Sequence, residues 1–349
     1  MLFPLLSLAL ASAFAQQAQG AISLVPRNEL NVVTPLSQAQ ASTYMPFSLF
    51  AQASYCQPKQ IEQWNCPGCE QLTGFKPTLT GGDGGRTRFH YVGFWPKEKA
   101  VVVVHQGTNP KSLKSIFTDL HVTKTRLDSE HFPGVDSKVQ VHSGFAAAHA
   151  QSAPEILAEA RRLLAQQKSR RVILVGHSLG GALAALDALS LRLNLPKHVD
   201  VQAVTYGMPR LGNHEFVKLF DEKIPDFKRI IHQRDLVPIM PPRFMGFVHT
   251  KGEIHILENG SSVACPGNDN DQDERCQATT VRTIFRARLS DHSGVYPGNV
   301  RIGRPFCRNA HPAWSSGIAR AGRAAVQMMM DSFINRVMNI GSLFSSAFR

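Results

Sequence analysis

Ser178 stands between two glycines in Gly176-His177-Ser178-Leu179-Gly180, behind the apolar run Val172-Ile173-Leu174-Val175 and ahead of Gly181-Ala182-Leu183-Ala184-Ala185-Leu186. A buried strand that turns into an alanine-rich helix through two glycines holds the residue between them on strained backbone, its hydroxyl exposed at the carboxyl edge of a sheet. The helix begins under that hydroxyl. Its amino-terminal dipole and free N–H groups, that of Leu179 above all, point where an oxyanion would form. The pattern implies a nucleophilic serine and acyl transfer. A five-residue motif of this kind arises often by chance, but rarely with a strand before it and a helix after it.

A serine hydroxyl is a poor nucleophile until an imidazole takes its proton, and that imidazole needs a carboxylate to fix its tautomer and stabilise its charged form. Asp235, in His232-Gln233-Arg234-Asp235-Leu236-Val237-Pro238, lies just past an expected strand, where a carboxylate can lean into the crevice at the strand ends. Asp187 sits inside the helix behind the serine and Asp291 adjoins a histidine in sequence, so both are less well placed. For the base, His292 in Leu289-Ser290-Asp291-His292-Ser293-Gly294 follows the acid in a polar stretch. His249 and His255 are its rivals, and His177 flanks the serine but points elsewhere on the turn. Chain order and loop context leave those three alternatives open. A second oxyanion donor is expected after an early strand, in His105-Gln106-Gly107-Thr108, where Gly107 allows a close turn and Thr108 offers both its N–H and its hydroxyl. The competing reading there is an ordinary glycine turn.

These residues need a frame. Strands are expected at 86–94, 100–105, 171–175, 201–206 and 227–231, with helices at 154–167, where Ile156, Leu157, Ala160, Leu163 and Leu164 share a face, and at 214–220. Strands alternating with helices imply an α/β fold, a mostly parallel central sheet with right-handed crossovers and helices on its flanks. The length of 349 residues, 43% of them hydrophobic, suits one domain over 41–314 with tails. Residues 16–40 are polar and turn-rich and read as a loosely ordered arm. In 315–349, Val326, Met330, Phe333, Val337, Ile340 and Phe344 recur at helical spacing, which predicts an amphipathic tail helix.

Residues 1–15 have the apolar centre and the Ala13-Phe14-Ala15 cleavage pattern of an export signal, and no later segment is apolar for long enough to span hydrocarbon. A secreted, extracellular protein without a transmembrane segment is expected. Six cysteines fit that compartment. Of the possible pairings we take Cys66 with Cys69, Cys265 with Cys276, and Cys56 with Cys307, the last tying the two ends of the domain together. A redox or zinc reading of Cys66-Pro67-Gly68-Cys69 would need a second pair at metal spacing, which is missing. The net charge of +12 favours an anionic surface, but no recognition motif accompanies it, so no nucleic-acid partner is expected. Asn259-Gly260-Ser261 is an N-glycosylation acceptor. No metal or cofactor is called for. The acidic stretch Asp269-Asn270-Asp271-Gln272-Asp273-Glu274 lacks a calcium-loop pattern and reads as solvated.

Taken with Val141-His142-Ser143-Gly144-Phe145, Tyr206-Gly207-Met208-Pro209-Arg210-Leu211-Gly212-Asn213 and Asp291-His292, these motifs, in one order from about Tyr55 to Cys307, resemble the fungal class 3 lipases, relatives of the feruloyl esterases. The resemblance implies an α/β-hydrolase fold, a triad of Ser178, Asp235 and His292, an oxyanion hole from Thr108 and the Leu179 amide, and the cysteine pairing given above. It also implies a short helical lid, for which Leu113, Ile116, Phe117 and Leu120 lie at helical spacing. The chain departs from the family where His105-Gln106 replaces the usual aromatic and arginine, and in its tail. The expectation is a triacylglycerol lipase acting on lipid esters at an oil–water or membrane interface. A feruloyl esterase or phospholipase is the alternative within enzymes, and a catalytically silent lipid-binding protein the alternative outside them. Neither oligomeric state nor chain-length preference is encoded in any motif.

Overall fold

A computed structural model describes residues 32–85, 87–108 and 122–306. The expected leader, the lid residues Leu113, Ile116, Phe117 and Leu120, Cys307 as partner of Cys56, and the tail at 315–349 lie outside the described residues. Everything below concerns the unit that begins at Val33.

The strands are β1 (Thr34–Leu36), β2 (Lys76–Gly81), β3 (His90–Trp95), β4 (Ala100–His105), β5 (Lys124–Arg126), β6 (Gln140–His142), β7 (Arg171–His177), β8 (Asp200–Tyr206), β9 (Phe227–His232), β10 (Glu253–Ile256) and β11 (Ser262–Cys265). Nine of them form one sheet in the order β1-β11-β10-β9-β8-β7-β4-β3-β2, and β5 pairs with β6 apart from it. The five central strands, from β4 to β10, run parallel, and two antiparallel strands extend the sheet on each side. Val101 to Val104 and Val172 to Val175 are fully buried, as runs of β-branched and apolar residues are when both faces of a parallel sheet are covered. Their alternation divides the interior: Val101, Val103, Val172 and Leu174 enter one core, whereas Val102, Val104, Ile173 and Val175 enter the other.

The first core is closed by α4 (Ser143–Ala150), α5 (Ala153–Gln166), α6 (Leu179–Asn194) and α7 (His214–Lys223), after the short α1 (Gln38–Ser42), α2 (Met45–Ala53) and α3 (Pro58–Glu62) of the amino-terminal part. On α5, Ile156, Ala160, Leu163 and Leu164 face inward, and each large apolar side chain so buried contributes about 1.5–3 kcal/mol. In α6 the small residues Gly180, Gly181, Ala182, Ala184 and Ala185 are all buried, because this helix lies tight against the sheet. Asn213 starts α7 by accepting the Phe216 N–H at 3.0 Å. The second core packs Phe50 edge-on to Phe75 and Trp95 at ring separations of 4.9 and 5.2 Å.

Cys66–Cys69 and Cys265–Cys276 form disulfides. Two sequence expectations are revised. Residues 34–36, assigned to the loose arm, pair with β11, and Val33 is buried, because the outer edge of β11 needs hydrogen-bond partners. Asp269, assigned to a solvated acidic loop, is buried against Arg210 at 2.7 Å, since the disulfide loop folds back over the domain. No helix of the described residues is long and apolar enough to cross a membrane.

Burial holds His177 and His249 well below the ordinary imidazole range, and lowers His90, His142 and His232 as well. Burial by itself would raise Asp269, but His249 and Arg210 beside it pull its carboxyl below the usual range. Below about pH 6.5 the unfolded chain therefore binds protons on these histidines that the folded chain refuses, and stability falls as pH falls. A second loss begins below about pH 4, where the unfolded carboxylates protonate first. The urea midpoint should drop between pH 7.5 and 5 and more steeply below 4. A midpoint that stays constant over the first interval would contradict this assignment.

Candidate active site

Strand β7 leads straight into Ser178, whose backbone, at φ 61° and ψ −133°, lies where L-residues rarely sit. Gly176 makes that turn possible, since a Cβ there would overlap the backbone of Gly180. The Ser178 N–H donates to the Tyr206 carbonyl at 2.8 Å, which ties the turn to the end of β8. The helix α6 starts at Leu179, directly after the serine, so that residue's N–H is free of intrahelical bonding.

His292 lies in a short 3-10 turn, Leu289–Ser293, and its Nδ1–H donates to Asp235 Oδ2 at 2.8 Å. That bond leaves the lone pair on Nε2. Asp235 is fully buried. Its Oδ1 accepts the Val237 N–H at 2.9 Å and its carbonyl accepts Gln277 Nε2 at 2.8 Å, so side chain and backbone are both held. Gly207, at φ 54°, packs beneath the pair: a Cβ there would lie 2.8 Å from Asp235 Oδ2 and 2.9 Å from His292 Nδ1. Ser178 Oγ, His292 Nε2 and Thr108 Oγ1 are among the buried polar side-chain atoms of the described residues that have no hydrogen-bond partner, so no hydrogen bond links the serine to the imidazole. Buried polar atoms are rarely left so, and each calls for an explanation, a catalytic role being one.

The loop that carries Thr108 abuts the serine. A Cβ on Gly107 would come within 2.9 Å of Ser178 Cβ and would overlap the Tyr55 hydroxyl. Thr108 follows β4, Ser178 follows β7, Asp235 follows β9, and His292 packs with Asp235 against Gly207 just past β8, so all four lie at the carboxyl ends of the central strands. The rivals are committed elsewhere. His255 offers its ring nitrogens to the carbonyls of Arg275 and Gln233, and His249 Nε2 donates to the Pro238 carbonyl. Asp291 accepts the Arg234 N–H, and Asp187 is bonded to two histidines.

Sequence reasoning missed the support around His292. Its carbonyl accepts both the Tyr296 hydroxyl at 3.0 Å and His177 Nε2–H at 2.8 Å. With that proton on Nε2, His177 Nδ1 must accept from the Tyr55 hydroxyl, 2.7 Å away. Tyr55 also takes a hydrogen bond from the Gly107 N–H, and burial pushes its phenol far up, so it stays a neutral donor. His177 is kept uncharged by its burial and by the neighbouring His292, whose ring lies 4.4 Å away. The motif position of His177 was the only sequence signal, since Tyr55 lies 122 residues away from it. Arg210 is a further support, donating to Asp269 and to the carbonyls of Ile239 and Pro241 in the segment after Asp235.

Asn259 is exposed in the turn between β10 and β11, its Oδ1 accepting from the Ser261 N–H and hydroxyl at 3.0 and 2.7 Å. The one group of metal-ligating residue types found close together among the described residues, Glu253 with Cys265 and Cys276, has both sulfurs in a disulfide.

The family model described as "Lipase (class 3)" matches residues 102–245. A secreted mono- and diacylglycerol lipase of Malassezia restricta is 30% identical over 206 residues, which cover 58% of this chain and 63% of that protein. A lipase of Rhizopus niveus is 30% identical over 244 residues, 66% of this chain and 58% of that protein. The chain therefore spans less than two thirds of the length of either relative. Among solved structures, lipase II from Rhizopus niveus superposes with a TM-score of 0.67 at 25% identity, covering 78% of this chain and 99% of that one. Native Rhizomucor miehei lipase with its propeptide gives 0.67 at 23%, covering 79% and 85%, and shows the same α/β-hydrolase fold. Family model, relatives and topology agree: the chain is similar to the class 3 lipases in sequence and shares their α/β-hydrolase fold.

Proposed function

We propose that the protein is a secreted serine carboxylic-ester hydrolase that cleaves acylglycerols through an acyl-enzyme on Ser178. The observation that carries this reading is the hydrogen bond from His292 Nδ1 to the buried Asp235, which leaves the lone pair of Nε2 free to act as a base, while the Ser178 hydroxyl is likewise unpartnered. His292 Nε2 takes the proton of Ser178 Oγ as that oxygen attacks the ester carbonyl. The negative charge formed on the carbonyl oxygen is held by the Leu179 N–H and by the N–H and hydroxyl of Thr108. As the tetrahedral intermediate collapses, His292 passes its proton to the departing alkoxide, and the alcohol leaves. A water then gives its proton to His292, attacks the acyl carbon and releases the fatty acid, and the proton returns to Ser178 Oγ. Asp235 stabilises the imidazolium in both halves.

The substrate class rests on the family and on the names of relatives, one called a secreted mono- and diacylglycerol lipase and one a lipase. The apolar side chains Leu113, Ile116, Phe117 and Leu120, which the family resemblance assigns to a lid, suit acyl chains better than a phenolic acid. Secretion is supported by the name of that first relative and by the leader pattern at 1–15, and an exported chain would present Asn259 for glycosylation.

Emulsified triolein and diolein should be hydrolysed faster than methyl ferulate or a phosphatidylcholine, and a preference for either of the last two would replace the substrate assignment. Ser178→Ala should lower kcat on any ester by about a million-fold. Full activity in that variant would end the proposal. Gly207→Ala should leave the fold intact but push the Asp235–His292 pair aside, lowering kcat by about 100-fold. An unchanged kcat would show that the pair does not act in catalysis.

A further inference from the structure

Asp187 is a carboxylate in the middle of α6, almost wholly buried, which the proposed reaction does not use. One of its oxygens meets His105 Nε2 at 2.5 Å and the other meets His149 Nε2 at 2.9 Å. All three side chains are sealed from solvent. They belong to three elements: His105 is the last residue of β4, Asp187 lies nine positions after Ser178 on the helix that the serine begins, and His149 is on α4. The groups packed around them are His90, opposite His105 in the sheet with its Nε2 2.9 Å from Glu155 of α5, and His131, edge-on to His149 and bonded to Asp128. Burial would raise the Asp187 carboxyl, but the imidazoles of His149 and His105 outweigh it and hold it below the usual carboxylate range.

We propose that His105, Asp187 and His149 form a buried clamp that fixes the loop after β4 against the helix α6, and so sets the distance between the two donors of the oxyanion hole. This rests on the reading of Thr108 and Leu179 as those donors. One of them follows His105 by three residues and the other opens α6. The parallel ladder between β4 and β7 ends at His105 opposite Gly176, so past that point it no longer fixes the loop. Among the described residues, the loop's other hydrogen bonds run from the Gln106 N–H to the Phe89 carbonyl before β3, from Gln106 Nε2 to the Ser54 carbonyl and from the Gly107 N–H to Tyr55, none of them to α6. The clamp reaches the helix that carries the opposite donor. Contact at this seam is close enough that a Cβ on Gly180 would overlap the His105 carbonyl, so a small slip of the loop changes the hole directly. His149 takes the second oxygen of Asp187 and prevents the carboxylate from turning away. These are positioning residues.

The test uses p-nitrophenyl butyrate in solution and phenylboronic acid, which adds to the serine as a tetrahedral anion. Wild-type turnover is the control for the underlying reading: without it, ester hydrolysis itself fails and the clamp is not at issue. Asp187→Asn should lower kcat about 10- to 100-fold with KM within about twofold, and weaken phenylboronic acid in step with kcat. A triple variant, His105→Leu with Asp187→Leu and His149→Leu, replaces the clamp by apolar side chains, an exchange that buried ion pairs commonly tolerate without loss of stability. It should fold and show the same kcat deficit. Ile156→Val, in the same core, is the control for a mere loss of packing and should keep kcat. If Asp187→Asn or the folded triple variant retains kcat within twofold, or if Ile156→Val loses as much, the clamp is structural only and the inference is overturned.

Discussion

One backbone residue governs this molecule. Ser178 sits at φ 61° and ψ −133°, on a turn where Gly176 has no room for a side chain. Such a conformation is costly, about 1–3 kcal/mol, and persists only where the surroundings over-determine it. Here they do. The apolar run of β7 is fully buried between two cores, α6 packs its small residues against the sheet, and the Ser178 N–H is bonded to the end of β8. Strand, helix and neighbour strand each fix one side of the turn, and the serine is held, fully buried, at the carboxyl ends of the strands rather than exposed at the sheet edge as its motif suggested.

The polar groups at that end of the sheet are assembled from long sequence separations, and each is held by a second layer of bonds. His292 is gripped at its ring by Asp235 and at its carbonyl by His177 and Tyr296. Asp235 is gripped at its side chain by Val237 and at its carbonyl by Gln277. Tyr55 joins the two halves, since it touches His177 beside the serine and Gly107 in the oxyanion loop. Keeping His177 neutral matters in this arrangement: a charged ring 4.4 Å from His292 would oppose the imidazolium that must form during turnover.

The parts legible in the sequence were those written in local pattern. The valine runs at 101–104 and 172–175 gave the central strands, because burial on both faces demands continuous apolar residues, and the glycine spacing at 176 and 180 gave the turn. His292 could be separated from His249 and His255 only through the family motif, since what disqualifies those two is carbonyl partners supplied by distant segments. Of the antiparallel strands, β3 overlaps the stretch expected at 86–94, but β1, β2 and β11 were not legible. β1 is three residues in a polar stretch and becomes a strand only because β11 offers it an open edge. Asp187 and Asp269 looked like an ordinary helix residue and a solvated loop residue, for buried partners at positions 105, 149 and 210 leave no trace in the local pattern.

The most direct measurement of the central claim is covalent labelling of the folded protein with a fluorophosphonate, followed by mapping of the modified peptide. A single adduct at Ser178, lost when His292 is replaced by alanine, is the expected result, because phosphonylation needs both an accessible hydroxyl and a base that removes its proton. Folded protein that takes up no label, or takes it up at another serine, would contradict the account.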